Sequence, residues 1–318
     1  IKKLLFLLFI SFNSNLLVAE QNDVQVADYY QQLELAKFEL KNNTSKAFEE
    51  LQKIELTKLN RLDSNFLDLA HQKLELLLDY FSTQHAVKEA LFLIQFCNTE
   101  RSLLEAAKLR SHLADFYMEE SKMDSALIQV NEAIFVFQSE NKLNELGDLL
   151  LKKGAILYAQ GLYIESIEII FEAVDKFKTT NQDKQLAFGY LQIGSTYLYI
   201  NYLNKAEEYY QIAGNHFKSL KDTLGFAICQ SNLGLIAQEK GDFKQSISLF
   251  KKSLIVIQKS NRKILIAYAY QALGESYLKL NKIDSSNYYI NQSYAINKAI
   301  NYISGICKDL YLIASIKY

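Results

Sequence analysis

Three cysteines, four histidines and two pairs of neighbouring carboxylates are the side chains with which this sequence could do chemistry. Cys97, Cys229 and Cys307 stand far apart, with no Cys-x-x-Cys pair of the kind that holds zinc or cycles between thiol and disulfide. His71, His85, His112 and His216 form no His-Glu-x-x-His or comparable ligand spacing. Glu119 and Glu120, like Glu207 and Glu208, are consecutive. Consecutive helical residues point about 100° apart, so neither pair can share a proton-transfer task. The sequence has no phosphate-cradling glycine loop and no Ser/His/Asp grouping. The reading is a non-catalytic chain with no metal and no cofactor, whose function lies in its surface.

The elements that position this surface are legible from composition. Of 318 residues, 49% are hydrophobic, enough for a folded core, and none is proline. Proline suits turns and strand edges but breaks helix interiors, so its absence predicts an all-α chain. Net charge is −1, which supplies no overall pull toward nucleic acid. The charge is unevenly spread. Residues 1–200 carry 28 acids and 20 bases, a net of −8, and residues 201–318 carry 8 acids and 15 bases, a net of +7. Differently solvated surfaces account for this, or a basic end facing an acidic partner or lipid headgroups.

The opening IKKLLFLLFISFNSNLLVAE sets Lys2 and Lys3 before seven apolar residues, then polar Asn13 and Asn15, then Ala19 ahead of Glu20. This is a secretory signal layout over residues 1–19, shorter than the about 20 apolar residues of a membrane span. It predicts a secreted or periplasmic protein. The alternative is an apolar first helix packed on the rest.

A period of forty residues organises the remainder of the chain. Ala114, Gly154, Gly194, Gly234 and Gly274 are all small, and Ala314 continues the series. Three residues later stand Tyr117, Leu157, Tyr197, Ala237 and Tyr277; twelve later Ala126, Ser166, Ala206, Ser246 and Ser286; sixteen later the larger Val130, Ile170, Tyr210, Phe250 and Ile290. Nineteen later come Ala133, Ala173, Ala213, Ser253 and Ser293. A fixed period of this length marks stacked repeats. The pattern predicts helical hairpins in which a small residue of the first helix faces small residues of the second, bringing the axes to about 8 Å.

Turn chemistry divides each repeat. Ser121, Gly161, Asn201, Gly241 and Asn281 close the first helix, and Asn141, Asn181, Asn261 and Asn301, with Lys221 in the remaining copy, close the second. Most are the residue types that best accept a left-handed backbone. Asp124, Asn204 and Asp284 are expected to cap the second helices, with Met123, Tyr163, Leu203, Phe243 and Ile283 just outside as staples.

The small, aromatic, small, small arrangement resembles the tetratricopeptide repeat family, strongly from about residue 104 onward. Forty residues exceed the family's usual 34, as in the extended-repeat branch of bacterial regulatory proteins; the family's tryptophan and proline are absent here. Upstream, Leu74, Leu77, Ala86, Ala90 and Leu93 keep the register, and Leu35, Phe38, Ala47, Leu51 and Ile54 follow it with a one-residue slip. The organisation expected is therefore a signal peptide over 1–19, two degenerate units over 20–103, and five units plus the first helix of another over 104–318. That last helix predicts that the native protein continues past Tyr318 or ends in a short cap.

The resemblance implies an α-solenoid, a right-handed superhelix whose first helices line a concave groove. Candidate groove residues are Asp115, Met118, Lys152, Tyr158, Gln192, Ser195, Leu198, Asn232, Leu235, Gln238, Gln271 and Glu275. Only Lys152 and Asn232 suit an acidic peptide terminus; the mixed apolar, aromatic and amide lining suits a peptide or helix of alternating character. The expected partner is a protein or peptide, not nucleic acid, with membrane contact only through a segment beyond the chain. The alternative function is the extracytoplasmic sensory region of a bacterial signalling protein, such as a sensor histidine kinase or a helix-turn-helix regulator.

Overall fold

The computed structural model describes residues 27–40, 43–54, 69–70, 72–74, 76–77, 84–99 and 102–317. The expected signal peptide lies outside them. Among the described residues every regular element is helical. Two compact units divide the chain, Ile1–Lys142 and Leu143–Tyr318. Unit 1 contains α1 (27–39), α2 (Thr44–Lys53), helical residues within 69–77, α3 (Gln84–Thr99), α4 (Leu103–Glu119) and α5 (Met123–Ser139). Unit 2 contains the hairpins α6–α7 (Leu143–Ala159, Tyr163–Thr179), α8–α9 (Asp183–Tyr199, Leu203–Ser219), α10–α11 (Thr223–Glu239, Phe243–Ile257) and α12–α13 (Lys263–Lys279, Ile283–Ala299). The helix α14 (Ile303–Lys317) comes after them. Each unit is a stack of antiparallel hairpins, the all-α solenoid architecture the period predicts.

The helices stop where left-handed residues allow. At the end of α4 the Lys122 N–H donates to the Tyr117 carbonyl at 2.8 Å and the Ser121 N–H to that of Met118 at 3.0 Å. The same pair of bonds closes α6, α8, α10 and α12. It satisfies carbonyls that a helix end leaves orphaned, and it requires positive φ at the residue between. That residue has φ of 58° at Ser121, 81° at Gly161, 62° at Asn201, 81° at Gly241 and 54° at Asn281, and the second set of breakers is likewise left-handed.

The capping expectation is corrected. The second helices begin two residues earlier than expected, at Met123, Leu203 and Ile283, with Lys122, Tyr202 and Lys282 at the cap and no side-chain cap bond. Asp124 and Asp284 instead lie in the first turn, where a carboxylate favours the positive end of the helix dipole. The apolar staple residues are thus the first helical residues. Side-chain capping occurs elsewhere: Asp222 accepts from the Gly225 N–H at 2.8 Å and Asp242 from the Gln245 N–H at 3.0 Å.

Packing within a hairpin also differs in detail. The glycines face large side chains, not small ones. A Cβ added to Gly154 would collide with Ile170 Cγ1, and one on Gly194 would stand 2.8 Å from Tyr210 Cδ1. Gly234 and Gly274 meet Phe250 and Ile290 in the same way. The residue sixteen on therefore fills the space of the absent side chain, a knob in a hole. The small residue twelve on bonds to the backbone beside it: the buried hydroxyls of Ser166 and Ser286 donate to the Gly154 and Gly274 carbonyls, each at 2.8 Å.

In unit 1, Leu74, Leu77, Ala86, Ala90 and Leu93 are buried as expected, as are Ala47, Leu51 and Ile54. The one-residue slip fails in α1. Leu35 and Phe38 are 42% and 61% exposed, and Tyr29, Leu33 and Ala36 carry the buried face, because their four- and three-residue spacing makes one helical stripe pointing away from Leu35 and Phe38. In α14, Leu312 is buried but Ala314 is exposed, with no second helix against it among the described residues.

Candidate functional site: the inner face of the second unit

The first helices α6, α8, α10, α12 and α14 of unit 2 touch one another in sequence, so their faces turned away from the second helices form one shared wall. Tyr158 on α6 and Tyr268 on α12 stand on this wall, three hairpins apart. Tyr268 keeps 38% of its surface in solvent, while burial, then Glu275, Glu239 and Tyr158, push its phenol up to about 12. The two facts agree for a ring that protein surrounds while water still touches part of it.

A cavity of about 190 Å³ opens on this wall between α6, α7 and α8, lined by Gly154, Ala155, Tyr158, Ile170, Gln192, Ser195 and Thr196. The helix period explains the convergence: Ala155 and Tyr158 are three apart on α6, Gln192 and Ser195 three apart on α8, so each pair shares a face. The hydroxyls of Ser195 and Thr196 are occupied. Ser195 Oγ donates to the Leu191 carbonyl at 3.0 Å and accepts from the Tyr210 hydroxyl at 3.1 Å, and Thr196 Oγ1 donates to the Gln192 carbonyl at 3.0 Å. Burial pushes the Tyr210 phenol far up, partly offset by the Ser195 bond. The side-chain oxygen of Gln192 is buried and has no partner, and the same is true of Gln238 on α10.

Tyrosines flank the cavity. Tyr158 has its ring centre 5.6 Å from that of Tyr163 and 5.5 Å from that of Tyr199, both nearly edge-on, and the latter two are 4.7 Å apart. The hydrogen bond with Tyr199 is the first cause raising the Tyr163 phenol, to about 12. Burial raises Tyr158, with a smaller contribution from Tyr199.

The other candidates are spread over both units. Lys152 is half-buried and lowers the Asp148 carboxyl, which burial otherwise raises. Leu198 packs against Ala206, Tyr210 and Ile236, and Leu235 against Phe250 and Leu273, so both are partly core. Asn232 is half-buried. Glu275 lies 3.6 Å from Lys308. Gln271 is buried, and its amide donates to Asp309 Oδ1 at 2.7 Å, which takes it off the surface. In unit 1, Asp115 is exposed and Met118 half-buried on α4. Sequence reasoning missed Tyr163, Tyr199, Glu239 and Tyr268. A signal for Tyr268 exists in the register six before the small position, Asp148, Phe188, Ile228, Tyr268 and Lys308, which the groove pattern passes over. Among the described residues no three His, Cys, Asp or Glu side chains gather as a metal site, and no helix is long and apolar enough to cross a membrane.

Comparison with known proteins identifies the repeat. Residues 226–299, most of the hairpins α10–α11 and α12–α13, match the tetratricopeptide repeat model. No curated protein matches the chain in sequence. Among solved structures it is similar to a Rap protein complexed with Competence and Sporulation Factor, at 14% identity and TM-score 0.64, over 91% of this chain and 80% of that one. It is also similar to aspartyl phosphate phosphatase F from Bacillus subtilis, at 15% identity and TM-score 0.60, over 92% of this chain and 78% of that one. A third is a signal transduction ATPase with numerous domains from Pyrococcus horikoshii that has a tetratricopeptide repeat sensor, at 16% identity and TM-score 0.62. That match covers 87% of this chain and 43% of the other. At these identities the likeness is one of fold.

Proposed function

We propose that this protein is a non-catalytic scaffold that binds a peptide or helical segment of a partner along the inner face of unit 2. The observation that carries the reading is the run of first helices α6, α8, α10, α12 and α14, whose successive contacts build one wall that carries apolar, aromatic and amide side chains such as Ala155, Tyr158 and Gln192. A wall of that mixed character suits a peptide or helix of alternating character. The test is selection of binding peptides from a displayed library on the full chain, then titration against a Tyr158→Ala, Leu198→Arg double variant. Binding weakened at least roughly tenfold with the fold intact supports the groove. Equal affinity for the variant overturns it.

A second reading is that the chain is the extracytoplasmic sensory region of a bacterial signalling protein. The likeness to a protein with a tetratricopeptide repeat sensor favours it, and the leader-like residues 1–19 favour export. Fusion of an export-dependent reporter after residue 318 tests the location, and an inactive reporter counts against it. Reading the gene beyond residue 318 tests the rest: this reading expects a run of about 20 apolar residues and then an output domain.

A further inference from the structure

We propose that the edge of unit 2 formed by its between-hairpin turns docks on an anionic lipid surface, an inference independent of the groove reading. Charge comes first. Residues 201–318 carry 15 bases and 8 acids, a net of +7. The segments 216–223, 256–264 and 296–303 hold the turns α9–α10, α11–α12 and α13–α14. They contain Lys218, Lys221, Lys259, Arg262, Lys263 and Lys298 against one acid, Asp222, a net of +5. Most of the positive excess therefore sits at three turns. All six bases are exposed, and none has an ion-pair partner among the described residues. Asp222 is occupied by its bond from the Gly225 N–H. At the turns within hairpins the balance is different: Lys205 pairs with Glu208 at 2.9 Å and Lys240 with Glu207 at 2.5 Å.

Placement comes second. Successive helices run antiparallel, so the three turns emerge at one edge. Two of them are neighbours across a cavity of about 530 Å³, lined by Arg262, Lys263 and Ile264 from one turn and Ile300, Asn301 and Tyr302 from the other. Helix α10 touches α12, and α12 touches α14, so the turn that opens α10 is next in the row. Each turn also sets an exposed apolar side chain beside its bases: Leu220 before Lys221, Ile264 after Lys263, and Tyr302 and Ile303 at the start of α14. This pairing selects the partner. Lysine and arginine are drawn to anionic headgroups, while aliphatic and tyrosine side chains settle at the headgroup and acyl boundary. An acidic peptide or a nucleic acid gives Leu220, Ile264 and Ile303 nothing to do. Five of the six bases are lysines, point charges without the fork that grips a single carboxylate or phosphate.

The experiment is co-sedimentation of the full chain with vesicles of phosphatidylcholine alone or of phosphatidylcholine and phosphatidylglycerol in equal amounts. Expected is binding to the anionic vesicles only, falling as salt rises from about 0.1 M to about 1 M and the screening length shrinks. Replacing Lys259, Arg262 and Lys263 together by glutamine should weaken it at least about tenfold. The same change at Lys244, Lys279 and Lys282, on the within-hairpin turns, should leave it unaltered. Ile264→Ser with Tyr302→Ser should weaken it about threefold or more at fixed salt. All these side chains are exposed, and circular dichroism confirms that each variant folds. Because residues 1–19 are themselves apolar and carry two lysines, amide exchange on the vesicles locates the contact: slowing is expected across 258–264 and 300–304. Slowing confined to residues 1–19, equal binding to neutral vesicles, or equal loss from the two glutamine triples overturns the assignment. So does a chain that ignores the anionic vesicles yet binds polyglutamate or single-stranded DNA through Lys259, Arg262 and Lys263. None of these results bears on peptide capture by the first-helix wall.

Discussion

Two glycine-to-alanine substitutions in one hairpin should move stability in opposite directions. Alanine is favoured over glycine inside a helix by about 1 kcal/mol, so without a steric obstacle the change stabilises. At Gly214 there is none. The added Cβ would meet Cys229 Cβ at 3.5 Å and the Phe226 ring at 3.7 Å, ordinary contact distances. Gly214→Ala should therefore stabilise by about 0.5–1 kcal/mol. At Gly194 the same atom would lie 2.8 and 2.9 Å from two carbons of the Tyr210 ring. That ring is fully buried and its hydroxyl is held by Ser195 at 3.1 Å, so it cannot swing aside. Overpacking of this kind costs about 1–3 kcal/mol. Net of the helix preference, Gly194→Ala should destabilise by up to about 2 kcal/mol, and Gly194→Leu by more. Stacked repeats can unfold piecewise, so one melting midpoint does not define one free energy. Native-state hydrogen exchange of the α8 and α9 amides reads the hairpin directly. Equal stabilisation by both alanines would refute the knob-in-hole account of the small register.

Three further outcomes are expected. Lys221 holds a left-handed backbone with φ of 57° where most equivalent positions carry asparagine or glycine, so Lys221→Gly should raise stability by about 0.5–1 kcal/mol; a fall in the urea midpoint would contradict the turn argument. Burial pushes the Cys97 thiol up to about 11 and Cys229 up to about 12, whereas Cys307 is exposed. At pH 8 a thiol reagent should therefore modify one cysteine per native chain quickly and the other two only on unfolding, and simultaneous reaction of all three would rule this out. Asp309 is fully buried and accepts bonds from Gln271, Ser293 and Asn297 at 2.7–3.0 Å. Asp309→Ala should loosen α14 by about 2–4 kcal/mol, with Asp309→Asn recovering part of the loss, as read by exchange over residues 303–317.

The period of forty was sufficient for the hairpins because local backbone chemistry and long-range packing impose the same spacing. Asn201 and Gly161 can end a helix wherever they occur, and Gly194 can admit a ring wherever a large side chain stands at the right distance beyond it. Such features repeat, and repetition is visible in one sequence. What failed is what does not repeat. α1 has no strong small position, so its buried stripe had to be read from Tyr29, Leu33 and Ala36 alone, and the exposed Leu35 and Phe38 competed with it. The cap assignments at Asp124 and Asp284 missed by two residues because Lys122 and Lys282 take the cap geometry without contributing a side-chain bond. Gln271 reads as groove by register, yet the carboxylate of Asp309 turns it inward. That partner lies 38 residues away, and nothing in the spacing of α12 announces it.

The cavity arises from the same logic by exception. One residue after the small position the series runs Asp115, Ala155, Ser195, Leu235 and Glu275. Only Ala155 contributes no more than a methyl group there. The neighbouring Gly154 adds no side chain at all, and Ile170 fills the hairpin side of the gap while the groove side stays open. A larger residue at 155 would fill this part of the wall. The hairpin scaffold thus depends on what its copies share, and the cavity depends on the copy in which the inward register is a single methyl group. If that is right, moving the exception should move the hole: Ala155→Leu with Leu235→Ala, in the same chain, would close the wall beside Tyr158 and open one beside Gln238, whose side-chain oxygen is also unpartnered. Benzene binding that persists beside Tyr158 in that double variant, mapped by the resonances of α8 and α10, would show that the vacancy does not come from residue 155.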